Sequence, residues 1–393
     1  MSRDPVESTE RRRQRAVESL ALSGRSEERL DRIARLGATL FRVEQATVTV
    51  LDGDHAWFPG AFGLEVRSAP RGETFSDRTS ATDDLVLVED AARDPRFADL
   101  PAVTDAGIRF YAGVPLLDPT GNAVGTFCLY DRSDRTLDAD ELQTLQDLAA
   151  WAQHELVASG EMVRASQVQA SMLPSKPVRI GEWELNGACV PALAVGGDLF
   201  DYAVGNEVAH LGLGDVMGKG TGAALLGAGV RAAVRGTHEA VVSGVDLGIT
   251  VTQVARSMAP DLMRAESFVT LFEAAVDLED GFLRYVDAGM GLCLVVRADG
   301  TVDRLDSEDL PIGVLFDDHW TEHTTTIEPG DRLLLFSDGL LDLVDDPDRW
   351  WEPIGRLVAG HEDTTSLLSA IVELAFEQVQ LDDVTAVAMF RHR

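Results

Sequence analysis

Four short acidic signatures lie in the second half of the chain. They are GGDLFD (Gly196 to Asp201), GDVMGKG (Gly214 to Gly220), FSDGLLD (Phe336 to Asp342) and LDDVT (Leu381 to Thr385). Each sets an aspartate at or near the end of an apolar run that reads as a β-strand. Strand ends are where side chains from distant segments meet. Carboxylates gathered there repel one another unless positive charge lies between them. Hard divalent cations such as Mg²⁺ or Mn²⁺ favour oxygen ligands and are the natural filling.

The bulk properties narrow the function classes. At 393 residues the chain accommodates two or three domains. No stretch reaches the roughly 18–20 apolar residues of a membrane span, and the arginines near the N-terminus precede no apolar segment of a secretory signal. Cys128, Cys189 and Cys293 are too few and too scattered for a disulfide framework or a zinc site and read as reduced core thiols. A cytoplasmic location is the expectation. The net charge of −32 argues against a nucleic-acid partner. The one dense basic run, Arg11, Arg12, Arg13 and Arg15, reads as a solvated helix start or tail. So acidic a chain gives a phosphorylated partner no long-range steering, and capture must rest on a local site.

The organisation reads as α+β in two domains. Residues 1–24 form a polar lead-in. Apolar residues at helical spacing follow from Glu27 to Phe41. Strand-like runs come next at 46–52, 85–90, 110–117 and 124–131, with the turn PTGN (Pro119 to Asn122) between the last two. WFPGAFGLE, VEDAARDPRFADLPAV, IRFYAGVPLLDPTGNAVGTFCLYD and LDADELQTLQDLA together resemble a GAF domain over residues 25–157. The resemblance implies a PAS-like antiparallel sheet with flanking helices and a ligand pocket whose ligand it does not name. Some relatives carry a cysteine where this chain has Ser76. Cys128 reads as a packed strand residue, with a redox or ligand contact as the alternative.

A helix starting near Asp138 runs on through a linker at 158–174. Leu142, Leu145, Ala149, Ala152, Leu156, Val163 and Ala170 fall on a heptad stripe. Two readings stay open: a homodimeric coiled coil, or a helix packed on its own domain. Pro174 and Pro177 end it. Residues 175–393 are strand-rich, with hairpin turns at Asp280-Gly281 and Asp299-Gly300 and helices near 222–239, 245–258 and 366–378. This pattern predicts a layered α/β/β/α sandwich.

VQASMLPS, VGGDLFDY, LGLGDVMGKGTGAALL, SFVTLFEAAVD, LRYVDAG, LPIGV, PGDRLLLFSDGLLD and DDVT occur in the order seen in PP2C-type phosphatases. They resemble the SpoIIE/RsbU branch, which dephosphorylates anti-anti-sigma proteins. The resemblance implies a serine/threonine phosphatase with two Mn²⁺ or Mg²⁺ ions. Asp215 corresponds to the residue bridging both metals, with the Val216 carbonyl beside it. Asp338 and Asp382 complete one shell, and Asp198 lies on the second metal's side. Asp201 and Asp383 are outer-shell candidates. A water held between the cations becomes a hydroxide that attacks phosphorus in line, without a phosphoenzyme. The implied partner is a phosphorylated signalling protein of anti-anti-sigma (STAS) type, and the implied regulation runs through the GAF domain.

The chain departs from the family pattern at Met217 and Lys219, where relatives often have DVSGHG, and at Met290, where they often have AGH. Lys219 either contacts substrate phosphate or lies in solvent. The missing histidines put leaving-group protonation in doubt and leave a second reading open, a pseudophosphatase acting as a sensing and binding module. The glycines around Asp215 satisfy neither a P-loop nor a dinucleotide fingerprint, and GGD is not followed by the residues of a diguanylate synthase.

Overall fold

The computed structural model describes residues 5–20, 24–82, 84–315, 318–344, 349–378 and 380–393, so parts of the lead-in (1–4 and 21–23) lie outside it. The chain divides into two compact units, Met1–Ala165 and Ser166–Arg393.

The first unit contains α1 (Pro5–Leu20), α2 (Glu28–Phe41), β1 (Gln45–Asp52), β2 (His55–Phe62), β3 (Ser68–Pro70), α3 (Phe75–Ser80), β4 (Val86–Val88), α4 (Pro101–Thr104), β5 (Phe110–Leu117), β6 (Ala123–Asp131) and most of α5 (Ala139–Met172). The strands form one antiparallel sheet in the order β3-β2-β1-β6-β5-β4. Alternation puts Val48, Val50, Phe127 and Leu129 on one face, where α1, α2 and α5 cover them. Tyr111, Cys128 and Tyr130 point to the other face and pack with Phe75 and Phe97. The β5–β6 turn at Pro119–Asn122 forms as its sequence predicts, with Gly121 at φ +85°.

Two readings of this half become specific. The basic run is a helix start with Arg11, Arg12 and Arg15 exposed and Arg13 buried. It belongs to α1, whose Val17 and Leu20 enter the core. The buried Arg13 guanidinium donates to the Leu51 carbonyl at 2.5 Å and pairs with Glu10. Burial on these partners leaves Arg13 unavailable to a polyanion.

The heptad stripe is likewise occupied. Leu145, Ala149, Ala152 and Leu156 are buried in the unit's own core, so the packed-helix alternative describes this part of α5. Leu156→Ala is therefore expected to cost about 2–5 kcal/mol of stability, as a core truncation does, read in a urea melt. A coiled-coil seam would instead show as altered sedimentation with little change in the melt.

The second unit holds β7 (Val178–Ile180), β8 (Trp183–Val190), β9 (Leu199–Gly205), β10 (Val208–Val216), α6 (Thr221–Gly236), α7 (His238–Val242), α8 (Leu247–Arg264), β11 (Val269–Asp277), β12 (Phe282–Ala288), β13 (Cys293–Val296), β14 (Val302–Arg304), β15 (His323–Thr326), β16 (Arg332–Phe336), α9 (Trp351–Ala359), α10 (Thr364–Glu377) and β17 (Val384–Arg391). A five-stranded sheet, β15-β12-β11-β10-β9, faces a six-stranded one, β14-β13-β16-β17-β8-β7.

Phe200, Leu211, Leu213 and Phe272 from the first sheet meet Leu185, Leu333, Leu335 and Val387 from the second in an inter-sheet core. Helices α6, α7 and α8 cover the outside of one sheet, and α9 and α10 cover the outside of the other. This is the α/β/β/α sandwich that the strand and helix pattern predicts. It places β9 beside β10 in one sheet and β16 beside β17 in the other. The acidic signatures stand at the ends of these four strands.

Candidate metal centre

Asp198 immediately precedes β9, and Asp215 is the penultimate residue of β10. Asp338 follows β16 at the start of a 3₁₀ turn (Asp338–Leu343), and Asp382 lies in the loop that enters β17. Two carboxylates thus come from each sheet.

Asp198, Asp215 and Asp338 are each shifted by the charge of another of the four. Burial, and then the neighbouring Asp338 and Asp382 carboxylates, push the Asp215 carboxyl up to about 6. Burial and then Asp215 hold Asp198 well above the usual carboxylate range. Burial, followed by Asp382 and Asp342, also raises Asp338. Like charges in a low-dielectric mouth produce this pattern. The half-buried Cys189 thiol is pushed up to about 12, by desolvation first and then by the Asp198 charge, and stays protonated.

The backbone explains the glycines of the motifs. A β-carbon on Gly197 would fall 2.7 Å from the Val216 carbonyl oxygen. Only glycine lets the GGD loop lie against that carbonyl. Ser337 joins the other two strands: its N–H donates to the Thr385 carbonyl at 3.0 Å. Its hydroxyl accepts from the Thr385 N–H at 2.9 Å and donates to the Asp383 carbonyl at 3.1 Å.

The other predicted site residues separate. Asp383 uses both carboxylate oxygens on backbone amides. Its Oδ1 accepts from the Ala192 N–H at 2.8 Å, and its Oδ2 accepts from Gly197 at 2.7 Å and Asp198 at 3.4 Å. The buried carboxylate fastens the GGD loop.

Asp201 has a set of partners different from those of the four carboxylates. It is paired with Arg231 at 3.0 Å and Arg235 at 3.6 Å, on the helix-facing side of its sheet. There it lines a cavity of about 220 Å³ with His210, His238 and Glu273. His210 joins Glu273 at 2.6 Å and His238 at 3.3 Å. The alternation of β9 sends Asp201 to the same face as Leu199, toward α6.

Lys219 is exposed and already has partners. Its ammonium pairs with Asp382 at 2.9 Å and donates to the Leu381 carbonyl. Met290 is in the inter-sheet core, with its N–H on Asp287. The residue that replaces the family's histidine therefore fills the sandwich.

The residues fit a pair of hard cations. The donors are all oxygens, and Lys219 pairs with one of them, Asp382. Asp198 Oδ2 is buried without a hydrogen-bond partner among the described residues, as is the Thr385 hydroxyl. Buried polar atoms in folded proteins are normally satisfied. No three His, Cys, Asp or Glu side chains among the described residues enclose an ion by themselves.

Sandwich, strand-end carboxylates and the preceding sheet domain define a two-domain protein, a GAF domain followed by a PP2C-like domain. Residues 25–156 match the GAF domain family, and residues 205–392 match the family described as Stage II sporulation protein E (SpoIIE). Residues 25–156 thus carry a GAF domain and residues 205–392 a SpoIIE PP2C-type domain. The SpoIIE match includes Asp215, Asp338 and Asp382 and begins after Asp198.

Among individual relatives, the chain is 25% identical to Protein IcfG of Synechocystis over 270 residues, 59% of this chain and 42% of that protein. It is 26% identical to Phosphoserine phosphatase RsbU of Bacillus subtilis over 206 residues, 51% of this chain and 58% of RsbU. The chain thus spans about half the length of these two relatives. The solved SiaA-PP2C domain of Pseudomonas aeruginosa superposes with a TM-score of 0.50 at 22% identity, covering 62% of this chain and all of that one, and shares the fold. No helix among the described residues is long and apolar enough to cross a membrane.

Proposed function

We propose that the chain is a metal-dependent protein serine/threonine phosphatase. In this reading Asp198, Asp215, the Val216 carbonyl, Asp338 and Asp382 hold two Mn²⁺ or Mg²⁺ ions. The observation that carries it is the convergence of four carboxylates from two sheets, one with a buried orphan oxygen. When bound, such a pair supplies a nucleophilic water at neutral pH and electrostatic relief for the phosphoryl oxygens.

The chain's own residues do the positioning. Asp215 and Asp198 contribute from one sheet, and Asp338 and Asp382 from the other. Ser337 and Asp383 keep the two pairs in register. Lys219, already on Asp382, keeps one positive charge at the rim, where a phosphate enters. No cysteine takes part, since the thiol nearest the site is held protonated.

The substrate class that fits is a phosphoserine or phosphothreonine on a signalling protein of anti-anti-sigma (STAS) type, as the resemblance to RsbU supports. Regulation through the GAF domain is supported by α5, one uninterrupted helix from Ala139 to Met172 that leaves the first unit's core and ends in the second unit. The pseudophosphatase alternative drew on Met290, which lies in the inter-sheet core; uptake of Mn²⁺ without turnover would favour that reading.

The test is hydrolysis of an aryl phosphate by the full chain. Mn²⁺-dependent turnover is expected, with a fall of more than about a hundredfold in Asp338→Asn, exceeding the 10–100-fold typical of losing an outer-sphere partner. Metal-independent turnover, or an unaffected variant, would contradict the proposal.

A further inference from the structure

The GGD loop is gripped from two sides, and only one grip belongs to the acidic signatures. Asp383 takes the N–H groups of Gly197 and Asp198. Gly196 is held by Gln169, near the C-terminal end of α5. The Gln169 side-chain oxygen accepts the Gly196 N–H at 3.1 Å, and its Nε2 donates to the Gly196 carbonyl at 2.7 Å. A primary amide satisfying both backbone groups of one residue does what a neighbouring β-strand does for a strand residue.

Gly196 has no slack between the two grips. A β-carbon there would sit 2.0 Å from Asp383 Oδ2. Every backbone N–H of the GGD tripeptide is therefore assigned, one to Gln169 and two to Asp383. The Asp198 carboxylate, with its orphan oxygen, stands at the end of this fixed tripeptide.

We infer that Gln169 is a positioning residue for the metal site on the Asp198 side. It does not touch an ion or a substrate. It fixes Gly196, and through Gly196 the direction in which Asp198 presents its oxygen. Outer-sphere groups that orient a ligand typically govern affinity by 10–100-fold. The inference rests on the two-metal reading and adds to it a residue outside the acidic signatures, on a different element, that acts on one metal more than the other. The Asp338 and Asp382 loops are held by Ser337 and by their own strands, without Gln169.

The experiment is calorimetric titration of Mn²⁺ into the full chain, comparing wild type, Gln169→Ala, Gln169→Glu and Gln167→Ala, with a thermal melt of each in EDTA. Gln167 is an exposed glutamine on the same helix and serves as the control. The expected result is a loss of about tenfold or more in affinity at one of two Mn²⁺ sites in Gln169→Ala. The second site and the EDTA melt should stay close to wild type. Gln169→Glu keeps the acceptor for the Gly196 N–H and loses the donor, so it should fall between. Gln167→Ala should match wild type.

Two equal, unshifted affinities in a folded Gln169→Ala chain would overturn the inference. So would a parallel loss at both sites accompanied by a lowered EDTA melt, which marks a general structural role. If the wild type itself takes up no Mn²⁺, the metal-site reading falls and this inference with it. If the wild type binds two ions and Gln169→Ala matches it, this inference alone falls.

Discussion

Asp215→Asn is expected to cut Mn²⁺-dependent aryl phosphate hydrolysis by more than about a hundredfold while making the metal-free chain harder to melt. The two effects have one cause. Burial, and then the Asp338 and Asp382 carboxylates, push the Asp215 carboxyl up to about 6. At neutral pH the metal-free protein therefore holds an ionised group that its surroundings disfavour.

The sign follows from proton linkage. A carboxyl whose folded value is raised binds its proton more tightly in the folded state, so stability falls as pH rises from its ordinary value, 3.8, to about 6. Above that window the full penalty is present, on the order of 1–3 kcal/mol. Asparagine removes the charge and the penalty, which corresponds to several degrees in Tm for a domain of this size. With Mn²⁺ added the order reverses, because wild type gains the binding free energy of the ions and the variant does not. Metal ligands must also be deprotonated, so Mn²⁺ affinity should rise with pH up to about 6 and flatten above. Melts in EDTA and in Mn²⁺, with titrations across pH, check all of this. A variant less stable than wild type in EDTA would mean that Asp215 is held by favourable contacts and not crowded by carboxylates.

Asp383→Ala should act in the opposite sense and lower stability even without metal. The substitution strips acceptors from the N–H groups of Ala192, Gly197 and Asp198. Buried donors left unpaired cost about 1–3 kcal/mol each, and bonds to a charged acceptor are among the stronger ones. A loss on the order of 3–5 kcal/mol is expected in an EDTA melt, together with loss of hydrolysis as the GGD loop loosens. Asp383→Asn keeps one acceptor oxygen and should fall between. A residue that only orients water would leave the EDTA melt unchanged, so this measurement separates the role drawn from the sequence from the one drawn from the structure.

The sequence was most legible where local chemistry decides the outcome. The turns at Asp280-Gly281 and Asp299-Gly300, the hairpin at Pro119–Asn122 and the strand-end aspartates all follow from short-range pattern, and the sandwich from their order. The errors have one physical origin, contacts between residues far apart in the chain. Asp201 and Asp198 read alike in GGDLFD, yet strand alternation and the arginines of α6, some thirty residues on, take Asp201 to a separate polar cluster. Asp382 and Asp383 also read alike, and only the fold shows one open to Lys219 and the other closed over backbone amides. The α1 helix has few apolar residues, and its docking depends on a buried arginine that looks like surface charge. Gln169 lies within VQASMLPS, but nothing in that stretch shows that its amide reaches Gly196. Helix α9 contains Pro353 and Gly355, which mask its pattern.

The central claim is that four distant carboxylates surround two cations. Anomalous diffraction at the manganese edge, from crystals of the full chain grown with Mn²⁺, tests it most directly. The account expects two peaks about 3.5–4 Å apart, with Asp215 between them, Asp338 and Asp382 on one and Asp198 on the side of the other. A map with no manganese among these residues, or with the metal bound elsewhere in an otherwise ordered chain, would contradict it.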